Sequence, residues 1–234
     1  HCIDRCEFEA VQANEIKRKV DCDCQNYIAA DSVNVKIYTA IKNYFDGLSS
    51  LTNVDISTYS LDALNEPLLA GNFGNVEIKP EQAAAYSNIS NLLYRAATDG
   101  YRKKKIKNYI EQANAPLKIL LDKFKFIIQE NLSKELDFKK ERLYAFYTEL
   151  KLNDRLSEYE KIEAWNSYYK QLNEINDQQE QLAVFAESLT EIAAAHEELY
   201  KNRNKLSATI LQQELGKYGN DIQDLYAQFK QLNQ

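Results

Sequence analysis

The chain has 234 residues, 44% hydrophobic and 27% charged, with a formal net charge of −6. That is enough apolar material for a substantial core, while six glycines and three prolines are too few for a turn-rich β fold. An acidic chain is a poor default binder of nucleic acid, and no run approaches the roughly 18 consecutive apolar residues of a membrane-spanning helix.

All four cysteines, Cys2, Cys6, Cys22 and Cys24, lie at the front. Their clustering predicts a local disulfide staple made in an oxidising compartment. A Cys22–Cys24 bridge would close a tight, strained ring, so Cys2 and Cys6 are each expected to reach Cys22 or Cys24. A straight helix across the intervening residues would span roughly 24 Å, beyond disulfide reach, so the segment has to double back. Zinc is the rival reading. Cys2-x₃-Cys6 fits a thiolate pair, but Cys22-x-Cys24 is tighter than zinc sites use. The chain starts at His1 rather than Met, which reads as a processed product whose targeting segment is gone. A lipid-modified cysteine ahead of His1 is compatible with that reading.

From Asp4 to Val20 the spacing of Phe8, Val11, Ile16 and Val20 suggests a short helix, and Val20, Cys22 and Cys24 then alternate as in extended chain. Asp31 to Ser50 reads as a helix. Asp31 or Ser32 would cap it, Val35, Ile37, Ile41, Tyr44, Phe45 and Leu48 form its apolar side, and Gly47 stands near a C-terminal left-handed position. The stretch from Ser49 to Lys79 is irregular. Ser60 would cap a short helix with Leu61 and Leu64, Gly71-Asn-Phe-Gly74 is turn chemistry, and Val76 and Ile78 alternate as in a strand. These signals divide the chain into an N-terminal cysteine-containing appendage, 1–79, and a long-helix bundle, 80–234.

Pro80 fits the first position of a helix, with Glu81 near the positive end of its dipole. Its apolar face includes Ile89, Leu92, Leu93, Ile106 and Ile110, interrupted by Gly100. Asn114-Ala-Pro116 is expected to end that helix and start the next, which runs from Leu117 to about Leu152 through Leu121, Phe124, Ile128, Leu132 and Leu136. Asn153-Asp154 is the best turn beyond it. A further helix begins near Ser157 with Ile162, Trp165, Tyr169 and Leu172 on its apolar face. It merges into a stripe of Leu182, Phe185, Leu189, Ile192, His196, Leu199, Arg203, Leu206 and Ile210, whose mean step of 3.5 is the coiled-coil period. A last run comprises Leu211, Leu215, Tyr218, Ile222, Leu225, Phe229 and Leu232. One helix through all of this would outrun its partners at about 90 Å, so a break is expected at Asn202-Arg203-Asn204, with Ser207 capping the last segment. A second break falls at Gly216 to Gly219, where Asn220 and Gln223 have capping-box spacing.

No catalytic signature survives inspection. His196-Glu-Glu-Leu-Tyr200 lacks the second histidine of a zinc-protease helix, and Ala193 rules out the Glu-x-x-His of di-iron bundles. His196 reads as a hydrogen-bonded member of the helix seam, and Arg203 as the partner of a carboxylate across it. Gly71-x-x-Gly74 lacks the lysine of a phosphate loop. No cofactor or metal is called for. Arg102, Lys103, Lys104, Lys105 and Lys107 are the candidates for an anionic surface, although in a helix they spread around much of the circumference. Leu117 to Ile128 is amphipathic and partly basic, so the 102–128 region offers an alternative role on a membrane surface. Asn88-Ile-Ser90 and Asn131-Leu-Ser133 are glycosylation sequons only in a host that uses them.

The cysteine-bearing start followed by long helices, with segments such as Phe185-Ala-Glu-Ser-Leu-Thr-Glu-Ile192 and Leu199-Tyr-Lys-Asn-Arg-Asn-Lys-Leu206, resembles uncharacterised lipoprotein-like helical proteins of bacterial cell envelopes. That resemblance spans most of the chain and implies no activity or functional residues. The expected fold is all-α, an elongated antiparallel bundle or coiled coil of long helices with a small cysteine-stapled appendage. The expected function is a non-enzymatic scaffold or protein-binding module outside the cytoplasm. Its partner would be a protein rather than nucleic acid, a removed lipid anchor would supply a membrane tether, and self-association is left open.

Overall fold

In the computed structural model, residue 6 and residues 22–50, 64–98 and 102–232 are described, without the side chains of 102, 103 and 228–232. The fold is all-α, an elongated antiparallel bundle of long helices. Helix α1 is Gln25–Ser49, α2 Pro80–Thr98, α3 Arg102–Phe126, α4 Ser133–Lys151, α5 Glu158–Asn202 and α6 Ala208–Leu232. A π-helical segment, Ile127–Leu132, joins α3 to α4, and strands β1 (Gly71–Phe73) and β2 (Val76–Ile78) form a small antiparallel hairpin.

α1 starts six residues before the expected cap at Asp31. Its first turn is anchored by Gln25 N–H donating to Asp23 Oδ1 at 3.1 Å, and Asp31 and Ser32 are exposed on its surface. Gly47 is a buried residue inside α1 and takes no left-handed conformation. The residues expected to form the short helices 4–20 and 60–64 lie largely outside the described residues. Cys6 is bonded to Cys22, with Cα atoms 5.9 Å apart, and Cys24 is also in a disulfide; Cys2 lies outside the described residues.

Pro116 does not end a helix; α3 passes straight through it. An interior proline costs about 3 kcal/mol. Against that, Ile106, Tyr109, Ile110, Ala113, Leu117, Leu120, Leu121 and Phe124 form one buried stripe across it. At about 1.5–3 kcal/mol for each large side chain, burying that stripe outweighs the proline several times over. The π segment has a similar packing logic. Ile128, Leu132 and Leu136 step by four twice, which outruns 3.6 residues per turn. A wider turn, seen in Ser133 N–H bonding to Ile128 O, keeps them in one row.

Beyond Lys151 the turn is where the polar residues place it. Ser157 and Glu160 form a reciprocal capping box, Ser157 N–H donating to Glu160 Oε2 at 2.8 Å and Glu160 N–H to Ser157 Oγ at 3.3 Å. α5 stops at Asn202, and Ser207 Oγ accepts from Ile210 N–H at 3.2 Å to cap α6. The second expected break does not occur: α6 is continuous through Gly216 and Gly219. A Cβ at 219 would stand 2.7 Å from Asp46 Oδ1 and 3.3 Å from Phe45 Cβ, so glycine here serves close packing against α1 rather than a bend.

The core is one apolar cluster shared by α1, the β hairpin, α2, α3, α5 and α6. α1 therefore belongs to the bundle, packed on α6, α2 and α3, although the sequence signals place it in the appendage. The hairpin is pinned to α1 at Gly74, where φ is +60° and an added Cβ would come within 2.6 Å of Asn26 O. α5 runs antiparallel along the whole rod α3–π–α4, from the Arg203–Glu111 ion pair (2.9 Å) at one end to Tyr147–Ser167 (2.8 Å) at the other. Its second half is covered by α3 and α6. Its first half is packed principally on α4, and together they form a two-helix arm.

Candidate functional site

Among the described residues, half of the twelve exposed large apolar side chains lie on the arm or at its tip: Tyr144, Phe146, Leu152, Tyr159, Ile162 and Tyr169. One stripe of α5, comprising Trp165, Tyr168, Leu172, Ile175 and Gln179, faces α4. Tyr147 Oη donates to Ser167 Oγ and accepts from Gln171 Nε2 at 3.0 Å, and Gln179 Nε2 donates to Asp137 Oδ1 at 2.7 Å. Tyr147 and Tyr168 are buried here but stand outside the main core cluster. Around them the rings form a connected series: Tyr144–Tyr168 at 6.5 Å, Tyr147–Tyr168 at 5.5 Å, Trp165–Tyr168 at 5.4 Å, and Trp165 stacked on Tyr169 at 5.8 Å. The Lys151 ammonium lies 5.4 Å from the Trp165 ring centroid. Tyr144, Tyr159, Ile162 and Tyr169 are 59%, 71%, 56% and 57% exposed.

This corrects the sequence reading, which places Ile162 and Tyr169 on a packed face with Trp165 and Leu172. Trp165 and Leu172 are half-buried, whereas Ile162 and Tyr169 point away from α4. Each residue is an ordinary helical apolar position. The warning lies in the width of the arc: from Ile175 to Ile162 it spans more of the helix than a single partner helix covers.

Of the residues predicted to form an anionic surface, Lys104 and Lys105 are exposed, while Lys107 donates to Asn204 O at 3.3 Å and helps to hold the α5–α6 turn. The side chains of Arg102 and Lys103 lie outside the described residues. Between these charges Ile106 is buried, so the run wraps around α3 rather than forming one face. Further along, Leu117, Leu120, Leu121, Phe124, Ile127 and Ile128 are all in the core, which leaves a membrane the charged side of this segment and the ring of Phe126, 51% exposed. Among the described residues no helix is long and apolar enough to cross a membrane.

His196 sits in the seam, 2% exposed. Its Nε2 is 2.7 Å from Tyr44 Oη, and the Tyr44 and Phe45 rings meet it edge-on. Burial pushes its pKa down to about 4, against a small opposing pull from Glu197, so the imidazole is neutral at pH 7. Its neighbour Glu197 accepts from Asn114 Nδ2 at 2.9 Å. Arg203 pairs with Glu111 across the bundle and lies over the Tyr200 ring.

A groove of about 750 Å³ runs between the β hairpin and the π segment. Lys123 in its wall is 8% exposed, with its ammonium 4.9 Å from the Phe126 ring centroid. Burial lowers its pKa, Glu77 opposes that shift and Lys79 reinforces it. The walls mix both signs, and Glu130 is already paired with Lys134 at 2.8 Å. No group of three or more His, Cys, Asp or Glu side chains able to hold a metal occurs among the described residues. Comparison with protein-family models, curated proteins and solved structures finds no match.

Proposed function

We propose that this chain is a non-enzymatic helical scaffold of the cell envelope that binds protein through its two-helix arm. The observation that carries the reading is the aromatic cluster around Tyr168, held in place by both helices and open to solvent at Tyr144 and Tyr169. Tyrosine and tryptophan anchor protein interfaces because they bring large area at low conformational cost, with a polar tip that tolerates water before the partner arrives. The rod sets this surface apart: Ile162 lies about 50 Å along α5 from His196. The Cys6–Cys22 bond supports an extracytoplasmic setting, since cytosolic thiols are kept reduced.

The test is site-specific photo-crosslinking in cells that make the chain. A photoreactive residue at Tyr144 is expected to give a discrete protein adduct, and one at Lys104, on the opposite end of the rod, none. Loss of the reading would follow from equal labelling at both positions, from no adduct at the arm, or from a measured catalytic turnover.

A further inference from the structure

α5 carries a second heptad stripe in its first half. Beside the one spent on α4, Tyr159, Ile162, Asn166, Tyr169 and Asn173 follow at steps of three, four, three and four. That is the spacing of a coiled-coil seam, with a polar residue at its centre. All five are exposed. The stripe is flanked by Glu163 toward one end and Lys170 toward the other, both also exposed. No described residue covers it, since α4 packs on the neighbouring side of the helix.

We propose that this stripe is the interface with a second copy of the chain, two arms pairing through α5 antiparallel to α5 to close a four-helix bundle. The proposal rests on the arm being a protein-contact surface and names the partner. The symmetry of the stripe points to this occupant. A two-fold axis near Asn166 exchanges its ends, so the Tyr159–Ile162 end of each copy meets the Tyr169 end of the other. The same rotation sets Glu163 of each copy beside Lys170 of the other, so the flanking charges attract. A parallel pairing would instead place Glu163 of each copy beside Glu158 of the other, like charge against like. Asn166 lies on the axis, where it meets its own copy, and a polar residue in the middle of a seam is the usual means of fixing one register among several. Two helical hairpins side by side over this length bury about 1,000 Å² in total, at the lower edge of specific interfaces, so the dimer should be reversible. The pairing is isologous and closes on itself without leading to fibres.

The experiment uses the full chain in sedimentation equilibrium, with a charge-swap series. The unaltered chain is expected to show a monomer–dimer equilibrium that shifts with concentration. Glu163→Lys or Lys170→Glu alone should weaken dimerisation at least tenfold, and the two together should restore it. Ile162→Glu should give a monomer with an unchanged helical circular dichroism spectrum. Asn166→Cys should cross-link to itself on mild oxidation, whereas Glu187→Cys, exposed on the other half of α5, should not. A chain that stays monomeric at about 1 mM, or single charge changes that leave the equilibrium as it was, overturns the dimer. If that happens while Tyr144 still cross-links to a different protein, the self-pairing fails and the reading of the arm as a protein-contact surface stands.

Discussion

The His196–Tyr44 pair couples the stability of the core to pH. Unfolded, the imidazole titrates near its ordinary 6.5; folded, near 4. The folded state therefore binds its proton less readily than the unfolded state. Stability is complete above about pH 6.5 and falls as pH drops, by about 1.4 kcal/mol per unit, levelling off below pH 4 after a loss of roughly 3 kcal/mol. Denaturant melts of His196→Gln, which keeps a hydrogen-bonding partner for Tyr44, should show a shallower fall between pH 6.5 and 4; parallel curves for the two proteins would contradict this. Tyr44→Phe leaves a buried imidazole nitrogen without its partner and should cost about 1–2 kcal/mol at neutral pH. Lys123 is the opposite case, a desolvated ammonium without a carboxylate within ion-pair distance among the described residues. Lys123→Met keeps the stem and removes the charge, so thermal melting should show stabilisation of up to about 1 kcal/mol.

At the scale of elements, the glycines of α6 set how close it lies to α1. Gly219→Val puts two methyl groups where Phe45 and Asp46 already stand and is expected to destabilise by about 2 kcal/mol, measurable as a lower denaturant midpoint with unchanged helical content. Gly74→Ala combines a positive φ with a backbone clash against Asn26 and should loosen the β hairpin from α1, at a cost of about 1–3 kcal/mol. Both sites also mark the reach of sequence reasoning. The turn at Gly74 is legible because turn chemistry is local, although Gly71-Asn-Phe73, expected to belong to it, forms strand β1. Gly216 and Gly219 look the same on paper as a helix break; only the presence of α1 alongside turns them into contact residues. Pro116 is the same problem reversed. Its local preference to stop a helix is overruled by a buried stripe on both sides of it.

Across the whole molecule, stability is expected to be uneven. Amide hydrogen exchange followed by mass spectrometry should find α1, α3 and the second half of α5 the most protected, and α4 with residues 158–178 exchanging at least tenfold faster, because the arm has few buried side chains behind it. Equal protection in arm and core at a concentration where the chain is monomeric would contradict this distribution.

Several features could be read directly from the residues. The all-α class, the turn after Lys151, the helix start near Ser157 and the break between Asn202 and Ser207 all follow from periodicity, caps and polar turns, which act within a few positions along the chain. His196 could be placed in the seam because its phase matched the leucines around it. Tertiary structure alone decided which apolar stripes would be covered. Ile162 and Tyr169 carry the same helical signal as Phe185 and Leu189. The latter pair lie in the shared core, Phe185 against Phe124 of α3, whereas the former point away from α4, the described helix beside them. Amphipathic spacing states that a face needs a partner; the lengths and directions of the other helices determine whether this chain supplies one.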